Sequence, residues 1–111
     1  FISMPTFNQT AQSVFEFGTN PINFKLDIPS AGASARVQLP ANIVTSCTIQ
    51  SMDANTGKIF IGGSTVTNSS GSNEGISISP GDAYGPISVI NSNLIYISTD
   101  TAGNDIKVFC N

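Results

Sequence analysis

At 111 residues the chain has the length of a single domain, and 40% of its residues are hydrophobic whereas only 10% are charged. That mixture is too apolar for an intrinsically disordered chain. The net charge is −3 and the four basic residues are scattered, so the chain lacks the clustered Lys and Arg that bind nucleic acid or an anionic membrane surface. We expect no nucleic-acid partner and no membrane partner, and no apolar run is long enough for a membrane-spanning helix.

The residue content also argues against catalysis. The chain has no His, so a Ser nucleophile lacks its commonest general base and a zinc site lacks a usual ligand. Oxygen-bearing side chains cluster at 53–57 and 100–105, but the first segment lacks the distal Glu of a calcium loop. Both segments are typical of hairpin turns, in which Asp bonds to the backbone. We predict no catalytic residue, no metal site and no cofactor, and therefore a protein that is not an enzyme.

Alternation of apolar and polar residues predicts short strands along most of the chain. The clearest case places four apolar side chains on one strand face: Ile22, Phe24, Leu26 and Ile28. Further strands are predicted at 35–39, 44–52, 58–61, 76–78, 87–90, 94–97 and 106–109, with a short one ending at Val66. Turn signals recur about every 8–12 residues, which favours an all-β fold, an antiparallel β-sandwich or jelly-roll-like domain of about eight short strands.

The faces of these strands define a predicted core. We expect it to contain Phe24, Leu26, Val37, Ile49, Ile59, Ile61, Ile95, Ile97 and Val108. The strands at 44–52 and 58–61 flank the turn at 53–57 and are interpreted as a hairpin. Pro80 and Gly81 fit a type II turn, because Pro fixes φ at one position and Gly tolerates the positive φ of the next.

The two cysteines, Cys47 and Cys110, lie far apart in the sequence, and their spacing matches no metal-binding motif. Two interpretations stay open at this point. The cysteines are either two buried thiols or a disulfide that ties a central strand to the last strand. A disulfide that closes so long a loop would stabilise the fold by about 4 kcal/mol.

The N-terminal segment, residues 1–18, has unusual apolar content without clear alternation, and such a segment needs a surface to cover. We interpret it as an arm that packs on a neighbouring subunit, with an edge strand of its own sheet as the alternative. Residues 19–111 are assigned to the sandwich domain. The candidate partner contacts are Phe1, Ile2, Met4, Phe7, Phe15 and Phe17, together with Tyr84, which is predicted to lie in a loop after the turn at 80–82.

Part of the sequence resembles a small β module of tailed-phage virion proteins. The resemblance covers about residues 53–109. It rests on Asn55-Thr56-Gly57, on a strand ending in Gly62-Gly63-Ser64-Thr65-Val66, on Pro80-Gly81-Asp82 and on Ile95-Tyr96. The chain departs from the pattern at 68–74, where its loop is longer and lacks a short Asn-Gly turn. Members of that family are structural proteins of heads, tails or their decorations, so the resemblance implies fold and setting rather than chemistry.

The resemblance implies a virion structural protein, and we expect a capsid decoration or cement protein of a bacteriophage that stabilises the assembled shell. Its expected partners are capsid or other virion proteins and further copies of itself, as a homotrimer. Its expected location is the virion, which is assembled in the host cytoplasm. The first alternative is a carbohydrate-binding or adhesin module with Tyr84 as its platform, since the chain has no Trp. The second is a fragment of a larger secreted β protein.

Overall fold

The computed structural model of the protein describes residues 21–32 and 35–111. Within these residues the chain forms eight β-strands and one short 3-10 helix, Ser92–Leu94. The strands in chain order are β1 (Ile22–Ile28), β2 (Arg36–Gln38), β3 (Ser46–Ser51), β4 (Ile59–Gly62), β5 (Ile76–Ile78), β6 (Ala83–Ser88), β7 (Tyr96–Thr99) and β8 (Asn104–Cys110). The predicted arm at 1–18 and its boundary with the sandwich domain lie outside the described residues.

The eight strands form two sheets of four, and all pairs of neighbouring strands are antiparallel. Sheet A has the strand order β1-β8-β3-β6, and sheet B has the order β2-β7-β4-β5. The inner faces of the two sheets share one hydrophobic core. The prediction of an all-β, antiparallel sandwich is therefore confirmed.

The core consists of alternate residues from the inner faces of the strands, as the pleat of a β-strand requires. Six of the nine predicted core residues are buried: Ile49, Ile59, Ile61, Ile95, Ile97 and Val108. The other three, Phe24, Leu26 and Val37, are half-buried and pack against the core. They are less covered because they lie on β1 and β2, which are edge strands.

The two predicted hairpins are wrong. β3 belongs to sheet A whereas β4 belongs to sheet B, and β7 belongs to sheet B whereas β8 belongs to sheet A. The segments 53–57 and 100–105 therefore each carry the chain from one sheet to the other. Local alternation predicts where strands lie but not which strands pair, and β3 pairs with β6 and β8 instead of β4.

Three strand positions also differ from the prediction. Val66 belongs to no strand, because its N–H donates to the Gly63 carbonyl at 3.0 Å in a turn. The strand expected at 87–90 begins and ends earlier, at Ala83–Ser88. Leu94 lies in the 3-10 helix that precedes β7. Val66 is nevertheless buried, whereas Ile90 and Leu94 are exposed.

The turn at Pro80 and Gly81 is confirmed. Gly81 has a φ of 87°, which lies in the left-handed region that favours glycine. The Asp82 N–H donates to the Ser79 carbonyl at 2.9 Å, which is the closing hydrogen bond of a four-residue turn. This turn sends the chain directly into β6.

A loop covers the outer face of sheet B. Phe60 points away from the core residues on either side of it, yet it is only 5% exposed. Arg36, which shares a row with Phe60 across the sheet, donates from Nε to the Val66 carbonyl at 2.8 Å. Asn68 donates from Nδ2 to the Thr99 carbonyl. Val66 and Asn68, at the start of the loop after β4, are therefore bonded across this sheet.

Candidate functional site

One end of the sandwich is closed by hydrogen bonds between the two segments that cross between sheets. We call residues 52–58 and 99–105 the polar corner. Asn55 Nδ2 donates to the Asp105 carbonyl at 2.7 Å, and the Asp105 N–H donates back to Asn55 Oδ1 at 2.8 Å. Asn55 Nδ2 also donates to the Ser51 hydroxyl at 2.8 Å. A single amide side chain thus joins both crossings.

Asn104 and Asp100 of the polar corner are used in the same way. Asn104 is 2% exposed; its Oδ1 accepts from the Thr56 N–H at 3.1 Å and its Nδ2 donates to the Thr99 hydroxyl at 2.9 Å. Asp100 Oδ1 accepts from the Lys58 N–H at 2.9 Å. The side-chain oxygens of Asn55, Asp100 and Asn104 therefore accept from backbone N–H groups, and within the described residues no three His, Cys, Asp or Glu side chains are grouped as a metal site requires.

The outer face of sheet A carries an exposed aromatic ring between polar side chains. Phe109 is 50% exposed and lies in register between Asn23 and Thr48. Lys107 and Gln50 form part of the next row, and these five side chains line a depression of 510 Å³, which we call the Phe109 face. The side chains of Asn23, Gln50 and Lys107 make no hydrogen bond in the described structure, so their polar groups are available to a ligand.

Charges on the same sheet stand in like pairs across β1 and β8. Lys25 is opposite Lys107 and Asp27 is opposite Asp105, while Lys25 Nζ lies 3.7 Å from Asp105 Oδ2 on the diagonal. An ion pair that is this exposed contributes little to the stability of the fold. The hydrogen bond that a protonated Asp27 donates to the Asp105 carboxyl raises the pKa of Asp27, and desolvation and like charge act in the same direction. The two carboxyls lie on an open sheet face and enclose no substrate.

The side of the sandwich formed by the edge strands β5 and β6 exposes a continuous apolar surface. It contains two adjoining grooves of 310 and 450 Å³ that share Val89 and Leu94. We call this surface the apolar flank, and it consists of Ile76, Tyr84, Ile87, Val89, Ile90 and Leu94. Ile90, Leu94 and Ile76 are 78%, 52% and 48% exposed. Apolar side chains this exposed and this close together are typical of a surface that binds another protein.

The apolar flank also presents strand edges. In the part of the chain that the structure describes, β6 pairs only with β3, and β5 pairs only with β4. One edge of each strand therefore faces the flank with N–H and C=O groups that no neighbouring strand uses. Edges of this kind accept an added strand from another segment or chain.

One row of residues crosses all of sheet A and ends at the apolar flank. Ile22 is opposite Cys110, Cys110 is opposite Cys47, and Cys47 is opposite Ile87. The Sγ atoms of Cys47 and Cys110 are bonded to each other, so the structure contains the disulfide rather than two thiols. This bond joins the two central strands of sheet A between the start of the described chain and the flank.

Among the predicted partner contacts, Tyr84 alone lies within the described residues. It lies in β6 opposite Ile49 and is 40% exposed at the apolar flank. Its predicted position in a loop is wrong, because the strand starts at Ala83, directly after the turn. The other six lie outside the described residues: Phe1, Ile2, Met4, Phe7, Phe15 and Phe17.

Sequence reasoning missed most of the apolar flank and all of the Phe109 face. For Phe109 the signal was present, since alternation in the last strand puts it on the same face as Lys107. For the flank, Val89 and Ile90 are adjacent apolar residues, and adjacent residues of a strand cannot both face the core. Ile76 and Leu94 gave no such signal, because their exposure depends on the open side of the sandwich.

Comparison with family models, with curated proteins and with solved structures found no match to this chain. In the residues that the structure describes, no helix has the length and hydropathy to cross a membrane. The candidate sites are therefore defined by their own geometry. They are an apolar flank suited to protein contact, a Phe109 face suited to a small polar ligand, and a polar corner whose groups are already paired.

Proposed function

We propose that this chain is a virion structural protein that works through protein–protein contacts, as a decoration or cement subunit of an assembled capsid shell. The observation that carries the proposal is the apolar flank, where Ile90 and Leu94 are more than half exposed beside strand edges that no other described strand pairs with. A surface of this kind is costly to leave in water and is stabilised when a partner covers it.

Two further observations support a virion setting. The sequence resembles tailed-phage modules over residues 53–109, and the described part of that stretch folds as strands of a sandwich. The disulfide between Cys47 and Cys110 fits a protein that persists outside the reducing cytosol, and virion surfaces are one such environment. We accordingly propose that the protein resides in the virion and that its partners are capsid proteins and further copies of itself in a homotrimer.

The proposed mechanism is stabilisation by binding. A subunit that binds the assembled shell but not its separated components shifts the equilibrium toward the assembled state. Apolar area and main-chain hydrogen bonds supply the contact, so ion pairs are not needed. This agrees with a chain in which only 10% of residues are charged. We propose no catalytic role.

The proposal is tested on particles from the culture that produces this protein. Particles are banded on a density gradient, and peptides of this chain are quantified by mass spectrometry in the particle band and in the soluble fraction. We expect the chain to band with the particles, and particles stripped of it to release their contents at a lower temperature. A chain found only in the soluble fraction would contradict the proposal.

A second candidate function, carbohydrate binding, is favoured by the Phe109 face. Binding sites for small ligands combine an apolar surface with a few polar groups that fix orientation, and Phe109 lies among Asn23, Gln50 and Lys107. This surface differs from the Tyr84 platform expected from the sequence. A glycan array probed with the full chain and with Phe109→Ala tests it: binding that Phe109→Ala abolishes supports this function, and an array without binding contradicts it.

A further inference from the structure

We propose that the apolar flank of one copy is covered by residues 1–18 of a second copy. This inference deepens the proposed function, on which it rests, by naming the partner of that surface. It assigns the exposed grooves on the β5 and β6 side a role in building the homotrimer that the proposed function includes.

The composition of residues 1–18 matches the apolar flank. The segment contains seven large apolar side chains, namely Phe1, Ile2, Met4, Phe7, Val14, Phe15 and Phe17, and its one charged residue is Glu16. All six residues of the flank are uncharged. Burying such side chains against each other removes apolar surface of both from water without desolvating an unpaired charge.

The geometry of sheet A places the start of the described chain far from its own flank. Ile22 lies in the same row as Ile87 but on the opposite edge of the sheet, three strands away. Three strand spacings amount to about 14 Å. The five residue steps from Phe17 to Ile22 span at most about 17 Å when fully extended, before any turn around the sheet.

Phe17 would therefore reach the grooves beyond β6 of its own copy only if residues 17–21 ran almost straight across the sheet, whereas the flank of a neighbouring copy imposes no such limit. If the copies exchange residues 1–18, all seven large apolar side chains of that segment, Phe17 included, can be buried. It also supplies a segment to the strand edges of β5 and β6, which have no other partner on that side in the described residues. Each copy then gives one segment and receives another, as a closed oligomer requires.

The experiment uses three variants of the full chain. The arm variant is Phe15→Ser with Phe17→Ser, the flank variant is Ile90→Ser with Leu94→Ser, and the matched control is Phe109→Ser, an exposed apolar residue elsewhere. Light scattering coupled to size-exclusion chromatography gives the mass of each, and circular dichroism checks that each is folded. The arm and flank variants are also mixed, because each retains the element that the other lacks.

We expect the wild type and the control to have a multiple of the 11.5 kDa chain mass, and the arm and flank variants each to fall to that mass. Their mixture should form a complex again through one intact arm and one intact flank. A monomeric wild type overturns the inference, as do variants that remain oligomeric. No complex in the mixture, with a lower thermal midpoint of each variant, shows that the segment covers its own copy. An oligomer that forms as expected but is absent from particles contradicts the proposed function alone.

Discussion

The polar corner and the apolar flank differ in how their side chains are used: side chains of the corner form hydrogen bonds within the chain, and those of the flank are exposed. At the corner, Asn55 and Asn104 join the two crossings by hydrogen bonds at 2.7 to 3.1 Å. At the flank, Leu94 and Ile90 stand exposed beside the outer edges of β5 and β6, which pair with no further strand within the described residues. Asn55 and Asn104 are thus bonded within the chain, whereas the apolar side chains of the flank are exposed.

This difference shows where function should be sought in a chain that is rich in Asn, Ser and Thr. A polar side chain that already donates and accepts within the fold has no capacity left for a ligand. The clustered oxygens at 53–57 and 100–105 attract attention in the sequence, but the side chains of Asn55, Asp100 and Asn104 bond across the corner. The informative feature is the exposed apolar patch, since large apolar patches on a soluble protein need an explanation.

The largest expected effect comes from the disulfide, whose row links the start of the described chain to the apolar flank. Reduction of Cys47–Cys110, which are 63 positions apart, should lower the free energy of unfolding by about 4 kcal/mol, because the unfolded chain regains the freedom of a long loop. Urea titrations with and without reductant measure this. Alkylation of untreated protein that labels two thiols, or an unchanged urea midpoint, would contradict the structure.

The next prediction compares a buried and an exposed residue of the groove at the flank. Ile61 is 5% exposed and Leu94 is 52% exposed, although both line the same groove. Ile61→Ala should lower the free energy of unfolding by about 3 kcal/mol because it leaves a cavity. Leu94→Ala, measured at a protein concentration that keeps the chain monomeric, should change it by less than about 0.5 kcal/mol. Equal losses would mean that Leu94 is covered by its own chain.

The polar corner is tested by Asn104→Ala. The substitution leaves the Thr56 N–H without its acceptor and removes one of the two donors to the buried Thr99 hydroxyl, so the free energy of unfolding should fall by about 1–3 kcal/mol. Asn73→Ala is the matched control, because Asn73 is exposed and its side chain makes no hydrogen bond in the described structure. If Asn73→Ala lowers the free energy of unfolding as much as Asn104→Ala does, the hydrogen bonds of the corner have no special role in stability.

The smallest effect concerns Asp27. Because the hydrogen bond to Asp105 raises its pKa in the folded state, the stability from this pair is present below the ordinary value of 3.8 and is lost as the pH rises through the raised pKa. Asp27→Asn, which removes the like charge, should therefore raise the thermal midpoint at neutral pH. The gain should vanish as the pH falls below 3.8. A gain that is the same at every pH would show that the carboxyl pair is not its cause.

Much of the fold could be predicted from the sequence, because alternation is a local property. Residues 22–28 form β1 over that same range, and the turn at Pro80 and Gly81 has the geometry that its residues require. Sheet membership was predicted wrongly, since a hairpin and a crossing between sheets look alike within one segment. What distinguishes them here is the bonding of Asn55 to Asp105, which are 50 positions apart.

The candidate site was harder to predict than the fold. Tyr84 was recognised as exposed, but its neighbours on the flank come from β5, from the segment after β6 and from the 3-10 helix. No spacing in the sequence brings Ile76, Ile90 and Leu94 together. Their common surface arises from the order of strands in the two sheets, which places the edges β5 and β6 on the same side.

The central claim is that the apolar flank is an association surface whereas the polar corner is not. Amide hydrogen exchange of the full chain at low and high protein concentration tests it most directly. We predict that amides of Ile76–Ile78 and Ala83–Ser88 become more protected as the concentration rises, while those of the corner at 99–105 exchange at an unchanged rate. If the amides of the flank exchange equally fast at every protein concentration and also in assembled particles, the claim is contradicted.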